Sequence, residues 1–163
     1  MQFPVALNEV TRAYFERLAR VETGPAAKAM AALARNPQDA RAAARLSEAP
    51  IYNATLRTTC TATQISGGHA PNALPQEARA LLNCRALPGH AQREVRAALV
   101  AAVADASVEV NALRERESSA PARVDAKFLA SVTRASESLW PGVPVIPIMG
   151  TGATDSTDRK SVV

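Results

Sequence analysis

Aromatic side chains are scarce in this chain of 163 residues, of which phenylalanine, tryptophan and tyrosine together make up only 4%. Proteins that bind single-stranded nucleic acid use exposed aromatic rings, on which the bases stack, beside their basic groups. The net charge of +4 does not supply a basic patch either, because the arginines are dispersed among alanines and glutamates, as on a solvated helix face. The composition therefore predicts no nucleic-acid partner.

Long apolar runs are missing as well. No stretch approaches the roughly 18 consecutive apolar residues that a membrane-spanning helix requires, so we expect no membrane association. The first four residues, Met-Gln-Phe-Pro, show neither the charged nor the apolar segment of a signal peptide. The compartment is left open, because a chain that starts inside a longer protein would not show its export signal.

Cysteine is limited to two residues, Cys60 and Cys84, which lie on two predicted strands. Free and buried thiols are the default for so few cysteines. A disulfide across an antiparallel pair of strands is the alternative, and the choice depends on Cβ geometry that the sequence does not specify.

Histidine is equally rare, with His69 in a loop and His90 before a predicted helix. A hydrolytic site with two metal ions needs clustered His, Asp and Glu ligands and a carboxylate that takes the proton. Neither histidine has a His-x-Asp or Glu-Glu neighbour, so we interpret His69 as a solvent-facing loop residue and His90 as a helix-start residue. The sequence predicts no catalytic and no metal-ligating residue in this chain.

The N-terminal part of the chain is predicted to be helical. Hydrophobic residues make up 47% of it, enough for a folded core. Residues 8–21, 26–35 and 39–46 show apolar positions at three- and four-residue steps, with Asn8 as the first N-cap and with Gly24-Pro25 and Asn36-Pro37 as the breaks between them. The alanine-rich composition indicates a closely packed scaffold and no catalytic function.

A shaped loop, Gly67 to Pro75, follows between two segments of β type, residues 56–65 and 78–85. Its two glycines allow positive φ angles or a close backbone approach, and its two prolines stiffen the path on either side of Asn72. The amide of Asn72 offers both hydrogen-bond donors and an acceptor. The same residue types occur in any connection between strands, so the loop predicts a binding role only together with its context.

The remaining segments complete the predicted architecture, and they are a helix over 92–104, a strand over 107–113, a linker over 118–123, a helix over 125–139, a strand over 143–149 and a loop over 150–155. The order strand, strand, helix, strand indicates an α+β fold, an incomplete ferredoxin-like open-faced sandwich that lacks its first strand and helix. The glycine-rich loop after residue 149 lacks the lysine and the following helix of a phosphate-binding loop.

Two segments resemble one known family in the family's own order. The pattern Gly-Gly-x-x-x-Asn-x-x-Pro at 67–75, followed by a strand that ends in Asn-Cys-Arg-Ala-Leu-Pro-Gly at 83–89, is similar to the lid or dimerisation domain of the di-zinc metallopeptidases of family M twenty. The stretch Val-Pro-Val-Ile-Pro-Ile-Met-Gly-Thr-Gly-Ala-Thr-Asp-Ser at 143–156 resembles the segment where that family's chain re-enters its catalytic domain.

The resemblance implies a fragment of a zinc-dependent hydrolase that cleaves a peptide or N-acyl amide bond. Residues 1–120 would be the dimerisation domain, with a helical insertion at 8–48, and residues 121–157 would be a returning piece of the catalytic domain. The two zinc ions and their ligands would belong to segments outside this chain. The partners would be a peptide or N-acyl amino acid substrate and a second copy in a homodimer formed through the lid.

The same resemblance implies substrate-binding roles for Asn72 and for Gly152, Thr154 and Asp155 of the pocket loop. Thr157 stands where an arginine that binds the substrate carboxylate would be expected. Residues 158–163 resemble the translation of a sequencing adapter, and a natural polar tail is the alternative. The rival hypothesis for the whole chain is a stand-alone, non-catalytic α+β dimerisation module.

Overall fold

The computed structural model describes residues 2–115, 118–121 and 123–151, so the expectations for Gly152, Thr154, Asp155 and the tail lie outside the described residues. Within these ranges the fold is α+β, with six helices and one antiparallel sheet of two strands. The helices are α1 (Glu9–Leu18), α2 (Gly24–Arg35), α3 (Ala40–Ser47), α4 (Pro50–Leu56), α5 (Gln92–Val103) and α6 (Ala126–Leu139), and the strands are β1 (Thr59–Gly67) and β2 (Ala78–Arg85).

The N-cap predicted at Asn8 is confirmed. The Oδ1 atom of Asn8 accepts a hydrogen bond from the Thr11 backbone N–H at 2.9 Å, and the Thr11 hydroxyl accepts one from the Asn8 N–H at 2.9 Å. These reciprocal bonds satisfy two backbone groups that a helix end otherwise leaves without partners. Helices α3 and α6 begin in a similar way, with Asp39 and Asp125 as the capping side chains.

Helices α1 to α4 enclose the hydrophobic core. Its buried members include the predicted inward residues Met30 and Leu33, and the full set is Phe15, Ala29, Met30, Leu33, Ala34, Ala42, Ala43, Leu46 and Leu56. Alanines let neighbouring helices approach closely, while each fully buried large side chain contributes about 1.5–3 kcal/mol relative to exposure. The expected alanine-rich interior is therefore confirmed, and its central aromatic residue, Phe15, was missed by the helical pattern.

Helix α4 was not predicted. The sequence interpretation started the first strand at residue 56, but Leu56 is the last residue of α4 and is fully buried in the core, and β1 begins at Thr59. Pro50 lies in the first turn of α4, where its missing N–H is not needed. Burial of Leu56 against the other helices outweighs the strand preference of the residues around it.

Two predicted strands, at 107–113 and 143–149, are wrong, since both segments lie outside the sheet of the described chain. The first runs beside α5, where the Arg96 guanidinium donates to the Val110 carbonyl at 2.6 Å and the Gln92 amide donates to the Arg114 carbonyl at 2.7 Å. Side chains thus bind carbonyls that a neighbouring strand would bind in a sheet. The sandwich is reduced to its central hairpin in the residues described.

The C-terminal helices follow the predicted boundaries but not the predicted burial. On α5, Val95 is buried, whereas Val103 is 43% exposed. On α6, Phe128 and Leu139 were expected to face inward, and they are 71% and 66% exposed. The apolar face of α6 therefore lacks a covering layer in the described chain, and that of α5 is covered only in part. None of the helices in the described ranges has the length and apolar character needed to cross a membrane.

Candidate functional site

The loop between β1 and β2 is shaped by its two glycines in two different ways. Gly68 has a φ angle of +74°, a left-handed conformation that side-chain-bearing residues rarely adopt. Gly67 has an ordinary φ, but a Cβ atom there would lie 3.2 Å from the Glu77 carbonyl oxygen, on the other side of the loop. Both reasons given for glycine from the sequence, a positive φ and a close approach, are therefore confirmed.

Asn72 lies at the tip of this loop and is exposed. Its side chain makes no hydrogen bond within the described chain, so both amide donors and the carbonyl acceptor are free to bind another molecule. The turn below it is closed by a bond of 3.4 Å from the Ala73 N–H to the Ala70 carbonyl. The loop ends at an ion pair in which the Arg79 guanidinium, by its hydrogen bond and its charge, lowers the pKa of the Glu77 carboxyl. Both partners are exposed, so this pair adds little stability.

The two histidines lie apart from any metal-binding group. His69 is exposed beside the loop tip, and His90 is half-buried before α5, with its N–H bound to the Leu87 carbonyl at 3.1 Å. In the described ranges, no group of three or more His, Cys, Asp or Glu side chains could hold a metal ion. The described residues therefore do not fit a zinc site.

Cys60 and Cys84 form a disulfide, so the default of two free thiols is wrong. The two residues are paired directly across the strands, and this pairing brings their Cα atoms to 4.1 Å. The bridge sits near the end of the hairpin that joins the helical core, at the opposite end from Asn72. It links the two strands that carry the loop.

The hairpin has one apolar and one polar face. Directly paired residues share a face, and the pairing places an uninterrupted apolar set on one side, which we call the apolar face: Cys60, Ala62, Ile65, Gly67, Ala78, Ala80, Leu82 and Cys84. Ile65 is 80% exposed and Leu82 is 41% exposed. The opposite side carries mostly polar residues: Thr59, Thr61, Gln64, Ser66, Arg79, Leu81, Asn83 and Arg85.

A bulge at Thr63 creates this separation. Ala62 pairs with Leu82 and Gln64 pairs with Leu81, so Thr63 is an additional residue on β1. Because strand side chains alternate, regular pairing of Thr63 with Leu81 would place Gln64 opposite Ala80 on the apolar face and would move Ile65 to the polar face. The Thr63 hydroxyl donates to the Leu81 carbonyl at 3.2 Å and so stabilises the bulged conformation.

The C-terminal segment reaches the base of the hairpin rather than its tip. The Arg85 guanidinium, at the end of β2, donates to the Thr151 carbonyl at 2.9 Å. Nine residues of β1 at about 3.3 Å each place Asn72 roughly 25 Å or more from this contact. Asn72 therefore lies far from Thr151, which directly precedes Gly152 in the sequence.

Comparison with known proteins matches residues 22–111 to the family model of the peptidase dimerisation domain. The chain is also similar to the N-fatty-acyl-amino acid synthase/hydrolase of Mus musculus, with 38% identity over 68 residues, which are 42% of this chain and 14% of that protein. The chain therefore spans only a small part of the length of this relative. No solved structure matches the chain. Since the family match covers 90 of the 163 residues, the chain belongs to the peptidase dimerisation domain family of the M twenty metallopeptidases.

Proposed function

We propose that this chain is the dimerisation and substrate-positioning part of a zinc-dependent hydrolase that cleaves a peptide or N-acyl amide bond. The family match over 22–111 supports the dimerisation role, and the name of the similar mouse protein supports a fatty-acyl amino acid as one substrate class. The zinc ligands would come from segments outside the described residues, because those described do not fit a metal site. The exposed apolar face of α6 supports the further proposal that residues 121–157 pack on a catalytic domain, whereas residues 1–120 form the dimerisation domain.

The exposed apolar face of the β1–β2 hairpin is the observation that supports the dimerisation role. A sheet of two strands with one uncovered apolar face is marginally stable in water and leaves unpaired edges that can bind another strand. A second copy that covers Ile65 and Leu82 would remove this surface from water. We propose that the homodimer forms there.

The test uses two neighbouring residues of β1 that point to opposite faces. Ile65→Lys places a charge on the apolar face, whereas Gln64→Lys places the same charge on the polar face. Sedimentation of the parent protein should show that Ile65→Lys weakens the dimer and that Gln64→Lys leaves it intact. Equal behaviour of the two variants would place the dimer contact elsewhere.

Asn72 supplies the substrate-positioning role in this proposal. Its amide lies at the tip of a loop braced by glycine and proline, far from the base of its own hairpin. We infer that it reaches the active site of the partner subunit and hydrogen-bonds the substrate near its carboxylate or scissile carbonyl. Gly152, Thr154 and Asp155 would line the pocket that receives the same substrate.

The corresponding experiment compares Asn72→Ala with His69→Ala in the parent enzyme. Loss of one well-placed hydrogen bond to the reacting group lowers kcat by about a hundredfold, so Asn72→Ala should do this while zinc content stays unchanged. His69→Ala, also in the loop and exposed, should keep normal turnover. Loss of zinc in Asn72→Ala would assign the residue another role, and a parent that neither binds zinc nor hydrolyses an acyl-amino acid would favour the stand-alone module.

A further inference from the structure

Arg57 is a buried cation at the junction between α4 and β1. Only 7% of the residue is exposed. One of its terminal nitrogens, Nη1, donates to the Gln2 Oε1 atom and to the Phe3 carbonyl at 3.0 Å each, and Nη2 donates to the Ser47 hydroxyl at 3.0 Å. All three acceptors are neutral. These contacts therefore do not offset the positive charge of the guanidinium. Burial lowers its pKa from the ordinary value.

No carboxylate in the described ranges pairs with this charge. The three ion pairs found there involve Arg20, Arg45 and Arg79. In addition, the Nε atom of Arg57 is buried without a hydrogen-bond partner, as is the Oδ1 atom of Asn53. Buried charges in proteins are normally paired, since an uncompensated one is costly. Arg57 and Asn53 thus each have a buried polar atom without a hydrogen-bond partner, unlike the other buried polar side chains of the described residues.

Both residues line the same cavity, which has a volume of about 300 Å³. Thr58, Thr59 and Thr61 are among the residues that line it, and none of its lining residues is acidic. A water molecule occupies about 30 Å³ in the liquid, so the cavity has room for a group considerably larger than one water. Its lining combines a permanent positive charge with several hydrogen-bond donors.

The Asn53 amide can add a further donor to this lining. Its side chain makes no hydrogen bond with the described residues, and the two ends of an amide have nearly the same shape. With Oδ1 buried, the NH2 group is the end of the amide available to the cavity that Asn53 lines. Arg57 directly follows α4, and its backbone N–H donates to the Asn53 carbonyl at 3.3 Å, so the two residues lie close together at the end of this helix.

We propose that this cavity is a binding site for a small oxyanion, a carboxylate or phosphate group, held by the Arg57 guanidinium, the Asn53 amide and the threonine hydroxyls. A bound oxyanion places a negative charge beside the buried guanidinium, and buried charges in proteins are normally compensated in this way. The site lies at the core end of the hairpin, so it is separate from Asn72 and independent of the proposed substrate-positioning role.

The direct test is the NMR signal of the Arg57 Nε–H group in the complete chain. Inorganic phosphate and acetate are titrated in separate series, with sodium chloride at the same ionic strength as the control. We expect phosphate or acetate, but not chloride, to shift this signal along a saturable curve, and the anion that saturates first identifies the preferred geometry. Absence of a saturable shift with both anions would overturn the proposal.

Two variants give an independent stability test. Asn53→Asp places a carboxylate beside Arg57, so it should abolish the response to phosphate while remaining at least as stable as the wild type without phosphate. Arg45→Gln removes an exposed arginine on α3 and should keep the response, which controls for net charge. At about 100 times its dissociation constant, phosphate should raise the folded-to-unfolded ratio of the wild type about a hundredfold. Equal stabilisation of Asn53→Asp and wild type by phosphate would contradict the proposed site.

Discussion

Cys60 and Cys84 lie directly opposite each other in the hairpin and are joined by a disulfide, with their Cα atoms 4.1 Å apart. Almost every other residue of the two strands is exposed, so the hairpin gains little stability from burial. Two-stranded sheets are marginally stable on their own. The disulfide is therefore a covalent constraint on the two strands that lead to the loop carrying Asn72.

Removal of the disulfide should loosen the hairpin. For a separation of 24 residues, a bridge of this kind contributes about 3 kcal/mol by restricting the unfolded chain. We expect Cys60→Ser combined with Cys84→Ser to lower the hydrogen-exchange protection of β1 and β2 accordingly, with little change in α2. Reduced wild-type protein is the control and should match the double variant. Unchanged protection in both would show that packing alone holds the hairpin.

Substitution by alanine should reduce stability more at Gly68 than at Gly150. Its φ of +74° costs a residue with a side chain about 1–2 kcal/mol. Gly68→Ala should therefore destabilise the chain by roughly 1 kcal/mol in denaturant unfolding. Gly150→Ala is the matched control, because an added Cβ there would have no neighbour within 4 Å and its φ is not positive. Equal effects of the two substitutions would contradict a conformational requirement at Gly68.

The cap of α1 should contribute measurably to stability. Asn8→Ala removes an acceptor that binds the Thr11 N–H at 2.9 Å and should cost about 1 kcal/mol of the free energy of unfolding. Thr23, the N-cap of α2, makes no side-chain capping bond, so Thr23→Ala should cost less. Denaturant unfolding of both variants gives the comparison. A larger loss for Thr23→Ala would show that the cap geometry is not what stabilises these helix starts.

Stability should fall at alkaline pH in a way that depends on Tyr14. Burial, followed by the charges of Tyr52 and Glu22, raises the pKa of the Tyr14 hydroxyl above its ordinary value of 10.0. A raised folded-state pKa means that the contribution is complete below the unfolded pKa, about 10, and is lost as the pH rises through the folded pKa. Tyr14→Phe should reduce the alkaline slope of the free energy of unfolding.

A salt series serves as the control for this prediction. Because burial is the largest cause of the Tyr14 shift, high salt should leave most of the slope in place, whereas a shift caused mainly by charges would be screened. A slope that is identical in wild type and Tyr14→Phe would mean that another group controls the alkaline transition.

Local signals predicted several features correctly. The cap at Asn8 and the boundaries of β2 agree with the structure, because each depends on residues close in sequence. The two roles of glycine in the loop also follow from local geometry. Asn72 was located in the loop, but its substrate role stays a prediction, as do those of Gly152, Thr154 and Asp155.

Features that depend on distant partners were predicted less well. Residues 107–113 have the alternation of a strand, yet a strand also needs a neighbour, and the Val110 carbonyl in this segment binds the Arg96 side chain of α5 instead. Phe128 and Leu139 mark an apolar face of α6, yet the layer that would cover it is not among the described residues. Arg57 carried no signal in the sequence, because an unpaired buried charge becomes apparent only when all its neighbours are known.

The sequence by itself determined every described helix except α4, the place where a glycine-rich loop interrupts the strands, and the family to which the pattern belongs, since these follow from local spacing. The tertiary structure alone decided the register of the hairpin. The bulge leaves Thr63 unpaired and so places Ile65 on the apolar face and Gln64 on the polar face, and the same register brings Cys60 opposite Cys84. Side chains alternate every residue along a strand, so a shift of one position reverses every face, and only the pairing of both strands selects one register.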